Sequence, residues 1–193
     1  MGRPGPAKRG GANRFQLGHR ECSLTRAVVD FEILLARDHA DLERALDRLG
    51  SSALSAADRR EALEAARLGF ATHAEAEANV LLRAMVHVPP THASARRVMR
   101  VLDEHCDQEA LLLRLSRMRP GCLEWVRTLR VLRSCLAVHI EHERVAVLPA
   151  VRELAAPSYE RLATSYATER LRALGMMSAV VPTPRRARAE TQT

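Results

Sequence analysis

Four histidines recur along this chain at nearly equal intervals: His39, His73, His105 and His139. Each is followed four residues later by a glutamate: Glu43, Glu77, Glu109 and Glu143. Residues four apart share one face of an α-helix, one turn apart. Chain breakers lie at or near the midpoints between successive histidines: Gly50-Ser51-Ser52, Pro89-Pro90 and Pro120-Gly121. In an up-and-down bundle, two residues equally far from the turn between them sit at one height. The spacing therefore predicts four antiparallel helices that bring all four histidines into one layer.

The remaining punctuation fits that plan. Ser23 is a candidate cap for a first helix running to about residue 49, with Gly50 as its stop. Ser55 can cap a second helix over 56–87, ended by Pro89-Pro90, and Thr91 a third that ends near residue 118. A fourth helix spans about 122–154, with Pro149 expected to end it early or kink it. Pro157 opens a short fifth helix that Gly175 closes after residue 174. No segment alternates with period two for long enough to form a strand. The expected fold is thus all-α: an up-and-down antiparallel four-helix bundle over 22–156, an accessory helix over 157–174, and disordered tails at 1–21 and 175–193. Short breaks between long helices favour antiparallel neighbours.

The histidines lie on apolar stripes. Leu35, Leu42 and Leu46 flank His39, and Phe70, Val80 and Leu81 flank His73. Val98, Val101, Leu102 and Leu112 flank His105, while Leu132, Cys135, Leu136 and Val147 flank His139. These offsets place each imidazole in the core. A buried, unpaired carboxylate is costly, and several in one layer more so. Metal dications remove that cost, because ionised carboxylates become ligands. Imidazole with carboxylate is the donor set of non-haem iron sites. The candidate metal ligands are His39, His73, Glu77, His105, Glu109, His139 and Glu143. Glu43 is the weakest of the four glutamates and reads as a surface residue. His19, His87, His92 and His142 have no glutamate at the fourth position on, and are given no metal role.

Charge and composition narrow the alternatives. The 193 residues carry a formal net charge of +7, but Arg3, Lys8, Arg9, Arg14 and Arg20 lie in the first tail and Arg185, Arg186 and Arg188 in the last. The helical core is close to neutral, so the basic tails read as solvated termini rather than a nucleic-acid surface. No apolar run is long enough to cross a membrane, and no signal segment is evident. Cys22, Cys106, Cys122 and Cys135 form no C-x-x-C pair and read as reduced thiols of a cytoplasmic protein. Cys106 is expected to pack in the interior. Lys8, in the tail, is the chain's one lysine. A phosphate-binding loop and a lysine Schiff base in the core are therefore excluded. No glutamate lies three residues before a histidine, as in ferritin-like sites, and H-E-x-x-H is absent.

The ordered set "ARDHADLERAL", "THAEAEANVLL", "DEHCDQEALLL" and "VHIEHERVAVLP" resembles the HHE cation-binding branch of the hemerythrin-like family, over about residues 25–155. The resemblance implies a diiron centre, two Fe ions with an oxo or hydroxo bridge. His39 and His73 would bind one ion, His105 and His139 the other, and Glu77 and Glu143 would bridge them. Oxygen-carrying members have a histidine where this chain has Glu109, and an aspartate five residues after the last histidine where this chain has Glu143 at four. A harder, anionic donor favours the ferric state. The resemblance therefore leans towards oxidation chemistry, reaction with peroxide or nitric oxide, or iron handling, with a small diatomic or peroxide as ligand. The open readings are a sensing module, an enzyme with peroxidase, catalase-like or nitric oxide-reducing activity, an iron store, and a metal-free helical adaptor.

Overall fold

The computed structural model describes residues 30–85 and 92–180. The expected caps Ser23 and Thr91, the Pro89-Pro90 turn, the tail at 1–21, residues 181–193 of the other tail, His19, His87 and Cys22 lie outside those residues. The described elements are all helical: α1 (Phe31–Gly50), α2 (Ala56–Met85), α3 (His92–Ser116), α4 (Leu123–His142), a π-helical turn (Glu143–Val147), α5 (Leu148–Arg152) and α6 (Ala156–Val180). Asp30 caps α1, accepting the Glu32 N–H at 2.8 Å. Ser55 caps α2 through a reciprocal pair with Asp58: the Asp58 N–H reaches Ser55 Oγ at 3.1 Å, and the Ser55 N–H reaches the Asp58 carboxylate at 3.2 Å. Pro120 and Gly121 make the turn before α4, where Gly121 has φ +79°, a conformation open to glycine at no steric cost.

α1 packs on α2 and α4, α2 on α3, and α3 on α4, closing a ring of four helices. Along the ring axis the interior has three layers. One apolar layer gathers Leu42, Leu46, Leu63, Phe70, Leu112, Trp125 and Leu132. The other gathers Phe31, Leu35, Val80, Leu81, Val101, Val147 and Val151. Between them lies a buried polar layer: Asp38, His39, His73, Glu77, His105, Gln108, His139, His142 and Glu143. The two apolar layers fix the helix rotations that hold the polar layer in register.

Two expectations need correction. The fourth helix does not simply stop or bend at Pro149. Proline offers no N–H to the carbonyl four residues back and its ring clashes there. The helix widens instead: the Leu148 N–H bonds Glu143 O, five residues back, and Pro149 falls in the first turn of α5. The fifth helix is not ended by Gly175. It runs Ala156–Val180, packs on α1 and α2, and adds Leu162, Ala163 and Tyr166 to the core. A Cβ at Gly175 would meet nothing within 4 Å, so a glycine there costs only helix propensity, about 1 kcal/mol, which packing elsewhere along α6 overrides. Among the described residues, no helix is long and apolar enough to cross a membrane.

Candidate metal centre

The four histidines meet, each from its own helix. Ring centroids of His39 and His73 are 4.9 Å apart and those of His105 and His139 4.7 Å. The cross-distances, His39 to His139 and His73 to His105, are 5.5 and 5.4 Å. Two carboxylates sit among them. Glu143 lies 3.2 Å from Nε2 of both His39 and His139. Glu77 lies 3.1 Å from His105 Nε2 and 3.4 Å from His73 Nε2. Two overlapping sets offer donors within 4.8 Å of one another: His39, His73, His139 and Glu143, and His73, Glu77, His105 and His139.

These groups are buried, with His39 and His105 the least so at 6% and 7% exposed. His73, Glu77 and His139 are 0% exposed and Glu143 is 1%. Both oxygens of Glu77 and of Glu143, with His39 Nε2 and His105 Nε2, have no hydrogen-bond partner among the described residues. Such orphans are rare in folded proteins and cost several kcal/mol when charged. Their donor atoms, with those of His73 and His139, fall in two groups, each within 4.8 Å of one another, a spacing that could hold a cation. Burial, with the neighbouring charges of His73 and His139, lowers the His39 pKa to about 3. Burial likewise lowers His139 to about 4. Both imidazoles are therefore neutral at pH 7, the form that donates to a metal. Burial and the adjacent Glu77 carboxylate push Glu143 well up. Burial also raises Glu77, but contacts with Glu143, His105 and His73 outweigh it and hold this carboxyl well down. Without a cation, the two carboxylates do not both ionise in so small a space.

Beneath the inner donors lies a set of orienting groups. His73 Nδ1 faces the Asp38 carboxylate at 3.2 Å and the Tyr166 oxygen at 3.0 Å. Both act as acceptors here, since the Tyr166 hydroxyl donates to Asp38. Arg170 donates to Asp38 and to Thr72 Oγ1. On the opposite side His139 Nδ1 donates to Glu104 at 3.2 Å, and His142 Nδ1 to the same oxygen at 3.1 Å. Arg100 Nε donates to the other Glu104 oxygen at 2.9 Å. A carboxylate on Nδ1 fixes the tautomer that turns Nε2 to the metal and raises its basicity. Burial raises the Asp38 and Glu104 carboxyls, but the bonds from His73 and Tyr166, and from His142 and Arg100, more than offset it and keep both low.

The arrangement repeats. α1 and α3 each supply a histidine preceded by an acid, Asp38-His39 and Glu104-His105. In each case that acid, rotated about 100° from its neighbour, reaches the histidine of the next helix. α2 and α4 each supply a histidine with a buried glutamate one turn on. This explains where the seven expected ligands fall. Six of them gather: His39, His73, Glu77, His105, His139 and Glu143. Glu109 does not. It is exposed, as is Glu43, because on α1 and α3 the inward stripe steps by three, from His39 to Leu42 and from His105 to Gln108. The inference drawn from Glu109 as an anionic inner donor therefore falls. Cys106, expected in the interior, is exposed for the same reason of rotation. His142 keeps its exclusion from the donor sets, but it is 7% exposed and bonded to Glu104.

Asp38, Glu104, Tyr166 and Arg170 were not anticipated as supports of the site. The acid-histidine dipeptide on alternate helices was the available signal. Tyr166 and Arg170, four apart on α6, had none without knowing where α6 packs. No curated protein and no solved structure matches the chain. The family model described as the hemerythrin HHE cation binding domain matches residues 32–151, which takes in α1 to α5 and both donor sets but not α6. With the family's residues present in order and converged on one buried layer, the chain belongs to the hemerythrin HHE cation-binding domain family.

Proposed function

We propose that this protein is a non-haem diiron protein that binds or reacts with dioxygen, peroxide or nitric oxide in the bundle core. The observation that carries the reading is how the carboxylates are shared. His39 and His73 form one close pair, and His105 and His139 the other. Glu143 touches one member of each pair, and Glu77 touches the remaining two and, at 3.7 Å, His139 as well. In a diiron centre each carboxylate would be shared between two ions, one per histidine pair. Imidazole and carboxylate donors in this ratio suit iron.

When bound, a pair of iron ions supplies two-electron exchange with a small oxidant. The protein's part is to hold and to shield. Asp38 and Glu104 fix the imidazoles of His73 and His139. The apolar layers above and below exclude bulk water, so charge changes are felt strongly within the layer. A cavity of about 250 Å³ between α1 and α4, lined by Ala36, His39, Ile140, Glu143 and Leu148, reaches the donors from outside and is large enough for a diatomic or peroxide. Free Cys106, Cys122 and Cys135 fit a reducing compartment, and we place the protein in the cytoplasm on that ground.

The test is to load the protein with ferrous iron without oxygen and add peroxide or nitric oxide. Consumption of many equivalents per chain makes the protein an enzyme. Reversible stoichiometric binding makes it a sensor, and iron uptake far beyond a pair makes it a store. A folded protein that takes up no iron contradicts the proposal and leaves the adaptor reading.

A further inference from the structure

Five of the ten large hydrophobic residues exposed among the described residues lie on α4 or the π-helical turn that continues it. Four of the five, Leu123, Val131, Val138 and Val145, recur at seven or eight residues and so form one stripe. Trp125, Leu129, Leu132 and Leu136 fill the inward side of the same helix, so the stripe faces outward. A surface helix ordinarily turns a polar face to water, and a contiguous apolar row rimmed by charges marks a contact surface. The stripe also has a centre at Ser134, which is exposed. Leu123 lies eleven residues before it and Val145 eleven after. Arg127 lies seven before and Glu141 seven after, both exposed. Val131 lies three before and Val138 four after. Each residue thus has its complement at the matching distance on the other side: apolar against apolar, cation against anion.

We propose that this face binds the same face of a second copy of this chain, the two α4 helices lying antiparallel and crossing at Ser134. A two-fold axis there makes every contact twice. Leu123 meets Val145 of the second copy, Val131 meets Val138, and Arg127 meets Glu141. The small Ser134 side chain at the crossing lets the two helices approach closely. Within one chain Arg127 is paired with Glu124 at 2.9 Å and Glu141 with Arg144 at 2.7 Å. Both pairs are exposed and worth little, so neither holds its charge back from a partner. A groove of about 360 Å³ between α3 and α4 runs beside the stripe. Asp107 and Arg130 line it, and neither has an ion pair among the described residues. His105 and His139 share a layer, so on the antiparallel α3 Asp107 is level with Ala137, next to where the axis puts Arg130 of the second copy. A different protein would need no such symmetry, whereas a second copy requires it. Glu104, the acceptor of His139, also lines the groove, so the second copy covers it from solvent. The proposal goes beyond the diiron reading, since the face holds none of the metal donors.

Sedimentation equilibrium of the full chain is the test. A dimer is expected at concentrations up to about 100 μM, within the range of weak specific association. Val131→Glu, at a half-exposed position, should weaken it at least about tenfold by placing a charge in the apolar row, with helical content unchanged. Arg127→Glu and Glu141→Arg should each weaken it as much, since each sets like charges against one another twice. Mixed one to one, these two variants should form a heterodimer, because each supplies the charge that the other lacks. Recovery on mixing identifies both the partner and the antiparallel register. A monomeric wild type overturns the proposal and leaves the face to a helix of a different protein. A dimer that tolerates Val131→Glu or either charge reversal, or charge variants that stay monomeric when mixed, overturns it as well. Iron loading does not enter these measurements, so failure of the diiron reading leaves them standing.

Discussion

Tyr166→Phe is the sharpest perturbation the structure offers, because it deletes one oxygen and little else. The ring stays buried, and its edge-on contact with Phe31, 5.6 Å between centroids, is kept. What is lost is the hydroxyl that donates to Asp38 and accepts from His73 Nδ1 at 3.0 Å. Asp38 retains Arg170, so its carboxylate is not left alone. The cost to the metal-free fold is therefore that of a hydrogen bond to a charged group, about 1.5–3 kcal/mol, with the lower end expected because no cavity opens. The cost to the metal site is separate. His73 loses one of the two groups that set its orientation, and loss of such a partner typically weakens metal affinity by about 10–100-fold. Urea unfolding of metal-free protein reads the first effect, and competition for ferrous iron against a chelator reads the second. Asp38→Ala should be worse on both counts, since it removes the carboxylate at His73 Nδ1 together with the counter-ion of Arg170, which keeps only its bonds to Thr72 and Gly69. Unchanged iron affinity in Tyr166→Phe would refute the claim that α6 takes part in the centre. A loss of stability with full iron affinity would reduce Tyr166 to a packing residue.

Further predictions follow from the same layer. Glu143→Gln should stabilise the metal-free protein by about 1–2 kcal/mol, because a buried group forced to hold a proton is replaced by a neutral amide, while iron uptake collapses; opposite signs in unfolding and in metal content identify a ligand. Glu109→Gln should leave iron content as in the wild type, since the side chain is exposed, and a loss of iron there would return Glu109 to the inner donors. Acidification should destabilise the metal-free protein. His39 and His139 have folded values lowered to about 3 and about 4, so the unfolded chain binds more protons between about pH 6.5 and pH 3. Their stabilisation is full above that window and is lost as the pH falls through it. Glu77, held low, adds to the loss at its acid end, while Glu143, held high, opposes it. Urea midpoints at pH 7 and pH 4.5 measure the sum, and a higher midpoint at the lower pH would reverse the assignment.

The four-histidine layer was legible because two signals agreed: a helical repeat within each segment and chain breakers midway between segments. The apolar stripe then fixed which way each histidine faced. Glu77 and Glu143 followed from that stripe, but Glu109 did not. A fourth-position offset lies about 40° round the helix, and whether that stays inward depends on each helix's rotation in the ring. Val101, His105, Gln108 and Leu112 define the α3 face, and Gln108 rather than Glu109 was its clue. Asp38 and Glu104 were hidden for another reason. Each serves a histidine on the neighbouring helix, and periodicity within one helix cannot report a contact between two. The π-turn at Glu143–Val147 shows the limit of reading a proline as a stop. The chain kept its direction by widening one turn, and the widened turn begins at Glu143, a candidate ligand; such turns often sit at functional sites. The end of α6 was missed because Gly175 lies on an exposed part of that helix, where a glycine is tolerated.

Iron content per chain, after anaerobic loading and removal of loose metal, tests the central claim most directly when wild type, Glu77→Gln and Glu143→Gln are measured side by side. Two irons per chain in the wild type, with a sharp loss in both variants and helical content unchanged, is the predicted result. A folded wild type that retains no iron, or variants that retain as much as the wild type, would contradict the assignment of Glu77 and Glu143 as bridges across a paired metal site.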